Sequence, residues 1–191
     1  DRIGWYADQV NANDLATTGA TPKWLLITVL LPEGQTTPNL LWGLNDEIRQ
    51  ACEPLVITVI GGHTEITYGL DRPLVIGQML GEVDPDQVVT TNGAQAGDDL
   101  ILTKGIAIEA TAIIAAEMRP HLVDQFDADS LNHYANFLHD PGISVVKDAA
   151  VAMGAGGVHA MHDPTEGGVA TGLHELAEAA AAREMQEETG L

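Results

Sequence analysis

Three short stretches of this chain combine polar side chains with glycine in a way that could do chemistry. Asn11-Ala12-Asn13-Asp14 places an amide and a carboxylate three positions apart, so on a helix Asn11 and Asp14 share a side. Gly61-Gly62-His63-Thr64-Glu65 follows an apolar run with bare backbone, an imidazole, a hydroxyl and a carboxylate. His162-Asp163-Pro164-Thr165-Glu166-Gly167-Gly168 repeats the theme nearer the C-terminal end. Polar groups just beyond the carboxyl end of a strand lie where open α/β folds bind ligands, and glycine there lets a ligand approach the backbone. Each stretch also has a plain structural reading. Asp14 caps local backbone at a helix end, and the Gly61-Gly62 pair makes an ordinary turn after a strand. Asp163, Pro164 and Glu166 match the N-cap, N1 and N3 positions of a helix start. Against that last reading, Gly167 and Gly168 in the first turn each cost ~1 kcal/mol of helix propensity. Bare N–H groups at a helix N-terminus instead receive an anion. By propensity alone, Gly168→Ala is expected to leave the melting temperature unchanged or raise it.

Other spacings carry less. His159 and His162 stand like a metal pair, but no Cys or third His is near in sequence, and a structural role is expected. Lys104-Gly105 resembles half a phosphate loop, yet the Gly-x-x-x-x-Gly-Lys-Ser/Thr pattern is absent. Neither a Gly-x-Ser-x-Gly elbow nor a zincin helix occurs.

The elements that must position these groups follow from periodicity. A helix is predicted over 3–18, with Ile3, Ala7, Val10 and Leu15 on its apolar side and Gly19 as its stop. Strands are predicted over 24–31, over 55–60 with Gly61-Gly62 as its end, and over 74–83. Between the first two, Pro38 opens a helix whose Leu40, Leu41, Leu44 and Ile48 form a stripe to Cys52, with Pro54 as breaker. Residues 91–97 are the candidate boundary between a domain over 1–90 and another over 91–191. The second has expected strands at 99–103 and 158–161, and helices at 106–117, 130–138 and 144–153. A last helix, capped by Asp163 or Thr165, runs to about residue 188. The alternation predicts a mixed α/β fold.

Composition sets the outer limits. Twenty-eight acidic against 8 basic residues give a net charge of −20, which argues against nucleic acid or an anionic membrane as partner. A polyphosphate ligand would need divalent cations to approach such a chain. The single Cys52 excludes an internal disulfide, fits a reducing compartment, and reads as a core thiol. No apolar run reaches membrane-spanning length.

The motifs carry a resemblance. Gly61-Gly62-His63-Thr64-Glu65 is similar to the Gly-Gly-x-Thr signature of the aminoimidazole-ribonucleotide (AIR) synthetase superfamily, whose fold is called PurM-like. Asn13-Asp14-Leu15-Ala16-Thr17-Thr18-Gly19-Ala20-Thr21-Pro22 resembles its Asn-Asp-Leu-Ala-x-x-Gly-Ala-x-Pro helix end. Asp163 to Ala170 resembles the Asp-x-Thr-x-Gly-Gly-Leu-Ala motif of the branch of hydrogenase-maturation protein HypE, although Glu166 stands where that branch has a basic residue. The three occur in family order across nearly the whole chain.

The resemblance implies a PurM-like two-domain architecture, with strands of the first domain forming a dimer barrel and an α/β sandwich in the second. It implies a central portion of such a protein, since family members carry an upstream Gly-Asp-Asp type stretch and continue further. It implies an ATP- and Mg²⁺-dependent cytoplasmic enzyme that activates a substrate oxygen by phosphoryl transfer. On the HypE branch this dehydrates a carbamoylated cysteine on a protein tail; the substrate could equally be a small molecule. A homodimer and maturation partner proteins are expected with it. Asp14 matches a metal-binding aspartate of the family, Glu65 is the carboxylate expected beside it for metal, and a few carboxylates with phosphate oxygens suffice for Mg²⁺. Imidazole suits softer metals, so His63 goes to phosphate contact, with Asn11, Gly61, Gly62, Thr64, Gly167 and Gly168 at the nucleotide or anion. Asp163 and Thr165 take the catalytic positions. Purine-pathway and selenophosphate synthetases and a non-catalytic nucleotide-binding scaffold are the alternatives.

Overall fold

The computed structural model describes residues 2–165 and 167–190. Contacts divide the chain into one unit of residues 1–90 with 145–163 and another of residues 91–144 with 164–191. Residues 145–163 thus pack with the first unit although they lie far along the chain.

In the first unit, β1 (Thr21–Pro32) is the central strand, rich in the branched and aliphatic residues that a pleated surface favours. It pairs in parallel with β2 (Thr58–Thr67) and antiparallel with β3 (Leu74–Glu82), giving the order β2-β1-β3. A parallel pair needs a crossover, and α2 (Pro38–Leu55) supplies it. Thr37 caps α2 by accepting the Leu40 N–H at 3.2 Å, and Pro38 sits in its first turn, as predicted from sequence. Pro54 does not break this helix but lies in its last turn, and the chain leaves through Val56 in the left-handed region. The core gathers Leu25, Val29 and Leu31 of β1 with Leu44, Ile48 and Cys52 of α2, together with Ala12 and Ile57. The opposite sheet face leaves Leu74, Ile76 and Leu80 of β3 exposed.

Helix α1 (Ile3–Ala16) turns a different side inward from the one predicted. Gly4, Asp8, Gln9, Ala12, Asn13 and Ala16 are buried, while Ile3, Ala7, Val10 and Leu15 are half-buried. The reason is polar pairing with α2: the Gly4 N–H donates to Glu47 Oε2 at 3.1 Å, and the Cys52 thiol donates to Asp8 Oδ1 at 3.2 Å.

Strand β2 does not end at the two glycines; it continues through them to Thr67. A register shift between Leu25 and Leu26 leaves Ile60 as an extra residue, and pairing resumes as Leu26–Gly61 and Ile27–Gly62. At Gly62 φ is +146°, and an added Cβ would lie 1.8 Å from the Ile27 carbonyl oxygen. This position admits only glycine, because the neighbouring strand occupies the space.

The second unit holds α3 (Ile108–Glu117), the short α4 (Arg119–Leu122), α5 (Ala128–Ala135) and α7 (Gly168–Thr189). Ala112 and Ala115 of α3 are buried, as are Leu131 of α5 and Leu138 of the 3₁₀ turn that follows it. Helix α6 (Val146–Ala155) belongs to the first unit. The expected strands at 99–103 and 158–161 lie in no sheet: without a pairing partner among the described residues, an apolar run stays irregular. The last helix begins at Gly168 with Gly167 as its N-cap residue, so neither Asp163 nor Thr165 occupies the cap position. Glu166, the expected N3 residue, lies outside the described residues.

Candidate functional site

Helix α1 delivers Asp14 at its last turn. Thr17 Oγ1 donates to the Asp14 carbonyl at 2.9 Å, Thr18 Oγ1 donates to the Leu15 carbonyl at 2.7 Å, and Gly19 at φ +82° ends the helix. The Asp14 residue is exposed. Beside it the structure brings Asp163, which is half-buried. Burial pushes the Asp163 carboxyl up to about 6; the negative charge of Asp14 and a hydrogen bond between the two side chains push the same way, and a backbone hydrogen bond and then His162 oppose them. Two carboxyl groups in such contact hold either a shared proton or a cation, since like charges so close disfavour double ionisation. The pair unites two of the three stretches singled out in the sequence.

The remaining residues divide by location. Asn11 Nδ2 donates to the Ala7 carbonyl at 2.7 Å and lies where a Cβ on Gly77 would meet it at 2.7 Å, so its amide is wedged between α1 and β3. On β2, His63 and Glu65 pair with Thr28 and Leu30, on the sheet face turned away from the helices; His63 Nε2 lies 3.3 Å from Glu65 Oε2, and both are exposed. Thr64, paired with Val29, points the opposite way. Gly61 has room: an added Cβ would find only Leu26 Cδ2, at 3.8 Å.

In the second unit Thr165 is exposed in the loop before α7. Gly167 has φ +76°, and an added Cβ would meet Thr171 Oγ1 at 2.0 Å; Gly168 has φ +65° with open space around it. Both glycines therefore answer to backbone conformation, and the propensity argument for Gly168→Ala fails because the left-handed region strains any L side chain.

Two features went unassigned in the sequence. Asp8, Gln9 and Cys52 form a buried polar cluster, in which Gln9 Nε2 donates to Asp8 Oδ2 at 3.2 Å. Burial first, and then the charge of Asp8, raises the Cys52 thiol to about 12, so it stays protonated and inert at neutral pH. A cavity of about 550 Å³ adjoins that thiol, lined by Ile27, Ile48, Ile57 and Val59 with Asn45 and Arg49 among its polar groups; it contains none of the expected site residues. Asn13 is the second feature: its Oδ1 accepts the Val145 N–H at 2.8 Å. Its sequence signals were its place beside Asp14 and at the head of the Asn-Asp-Leu-Ala motif. Among the described residues no three His, Cys, Asp or Glu side chains converge as a metal cluster, and no helix is long and apolar enough to cross a membrane.

Comparison with known proteins agrees with the arrangement of the motifs. The family model for the AIR synthase related protein, N-terminal domain, matches residues 1–83, and that for the C-terminal domain matches residues 95–187. A carbamoyl dehydratase HypE of Rhodobacter capsulatus is 28% identical over 99% of this chain and 53% of its own length. A selenide, water dikinase of Pelobacter propionicus is 30% identical over 86% of this chain and 43% of its own. A crystal structure of hydrogenase maturation protein HypE in complex with ATP superimposes with a TM-score of 0.76 at 20% identity, over 93% of this chain and 50% of that one. The chain spans about half the length of these relatives. With both domain models matched in order and a mixed α/β fold shared with HypE, the chain belongs to the AIR synthase related protein family.

Proposed function

We propose that this chain is part of an ATP-dependent, Mg²⁺-requiring enzyme that activates a substrate oxygen by phosphoryl transfer, nearest in kind to carbamoyl dehydratase HypE. The observation that carries the reading is the Asp14–Asp163 carboxyl pair. Its donor set fits a hard divalent cation, which takes carboxylate oxygens and completes its shell with water and phosphate oxygens. Asp14 and Asp163 would hold the ion, a refinement of the catalytic role expected for Asp163. When bound, Mg²⁺ neutralises phosphate charge, which an acidic chain cannot do unaided. Glu65, on the sheet face turned away from α1, is assigned to a metal apart from the Asp14–Asp163 pair, and His63 and Thr64 are assigned to the phosphates. Thr165, with the bare N–H groups of Gly167 and Gly168 at the α7 N-terminus, receives a substrate or phosphate anion. Positioning and electrostatics are the protein's share in such transfers.

Metal titration of the full protein tests this. Asp14→Asn and Asp163→Asn keep shape and remove charge, so each should weaken Mg²⁺-dependent ATP affinity by about 1–3 kcal/mol, the range for deleting a charged partner. Equal titrations for wild type and both variants would reduce Asp14 and Asp163 to structural roles. The working assembly is a cytoplasmic homodimer that pairs the open sheet faces, with a protein tail or small molecule as substrate and maturation proteins as partners. A selenophosphate synthetase-like activity is the second reading, favoured by the similarity to the selenide, water dikinase.

A further inference from the structure

Asp163 reaches Asp14 at the end of a long excursion. Helix α6 leads into Gly156 and Gly157, at φ +78° and +74°, and residues 158–163 then run without forming a strand. No sheet ladder therefore sets where Asp163 lies. Upstream of it, α6 is anchored to the first unit. Val146 packs against the core of the first unit and Ala149 is buried. Met153 Cε lies 3.2 Å from where a Cβ on Gly19 would stand, so the far end of α6 rests on the turn that ends α1. At the near end the N-cap residue Val145 makes no side-chain cap bond, and its N–H goes to Asn13 Oδ1, 132 positions away in sequence. Asn13 is buried in the last turn of α1, where asparagine is a poor helix former and an unpaired amide would be costly. Its presence there is explained by the bond that it makes.

We propose that Asn13 is a positioning residue: by accepting the Val145 N–H it clamps residues 145–163 onto the end of α1 and so holds Asp163 at Asp14. The inference rests on the reading of that pair as the metal site. Asn13 itself does not touch the ion. Its side-chain oxygen is spent on backbone, one residue before the carboxylate it serves.

The test is Mn²⁺ binding followed by electron paramagnetic resonance on the full protein, with wild type, Asn13→Ala, Asn13→Asp and Asp14→Asn compared. Asn13→Ala removes the acceptor and should weaken Mn²⁺ about 10–100-fold, the range for groups that orient metal ligands. Asn13→Asp keeps an oxygen at the same place and should bind at or above the wild-type level. A merely structural residue would show no such rescue in metal affinity. A second measurement needs no variant. Because coupling is reciprocal, saturating Mg²⁺ should slow hydrogen exchange at the Val145 N–H of wild-type protein. Asn13→Ala within twofold of wild type, Asn13→Asp as weak as Asn13→Ala, or Val145 exchange indifferent to Mg²⁺ would each overturn the clamp. Should Asn13→Ala not fold, the exchange measurement decides. Failure of the underlying reading has its own signature: Asp14→Asn would then bind Mn²⁺ as wild type does.

Discussion

Gly62→Ala separates a glycine that the fold requires from one kept for a ligand. An alanine Cβ at Gly62 would lie 1.8 Å from the Ile27 oxygen and 2.7 Å from its carbonyl carbon, and these are backbone atoms of the central strand. No rotamer change relieves that overlap, so β1 and β2 must part locally. Holding an L residue in that backbone region costs ~1–3 kcal/mol. Losing two ladder hydrogen bonds adds ~0.5–1.5 kcal/mol each, which brings the expected loss to roughly 2–6 kcal/mol. For a chain of this size that corresponds to a fall of about 4–24 °C in melting temperature. Gly61→Ala is the control, since its Cβ would only touch Leu26 Cδ2 at 3.8 Å. It should leave stability within about 1 kcal/mol of wild type, or raise it, because glycine weakens strand interiors. Thermal melts followed by circular dichroism, with urea titrations, measure both. If the two variants melt alike, or Gly62→Ala loses less than about 1 kcal/mol, the steric reasoning is refuted. Nucleotide titration of Gly61→Ala adds the functional half: weaker ATP binding at unchanged stability is expected if Gly61 admits a phosphate.

Gly167→Ala, blocked by Thr171 Oγ1 at 2.0 Å and by φ +76°, should cost ~1–3 kcal/mol in urea unfolding, and Gly168→Ala, strained but unobstructed, about 1–2 kcal/mol. An unchanged or raised melting temperature for Gly168→Ala would contradict this. The Cys52 thiol, raised from 9.0 to about 12, keeps its proton longer in the folded chain than in the unfolded one. The stability linked to it is therefore complete below pH 9 and lost as pH rises toward 12; wild type should lose more stability across that window than Cys52→Ala, and a native thiol titrating near 9.0 by absorbance would disprove it. A homodimer through the open sheet face should sediment as such at micromolar concentration. Ile76→Lys, at a side chain 53% exposed on that face, should shift it to monomer without unfolding; a variant that remains dimeric would place the interface elsewhere.

Much of the candidate site is local in sequence and was legible there. Asp14 falls at the end of α1 and Asp163 just before α7 because helix stops, turns and apolar periodicity are written over a few consecutive residues. The helix from Pro38 and the strands beginning near residues 24, 55 and 74 follow from the same short-range signals. Long-range facts were not legible. Gly61-Gly62 looks like a strand end in one dimension, but the turn signal is overruled by β1, which pairs through both residues and fills the space beside Gly62. The inward face of α1 is polar because Glu47 and Cys52 of α2 meet it there, and no hydrophobic pattern on α1 records that. Residues 99–103 read as a strand, but a strand exists only with a partner to accept its hydrogen bonds. The contact between Asp14 and Asp163 belongs wholly to the tertiary structure: it depends on α6 returning to the first unit and on Asn13 meeting a backbone N–H 132 positions away. Sequence determined which residues could carry the chemistry, because side-chain identity is local. Which of them meet was decided by packing, because proximity across such separations is a property of the folded chain alone.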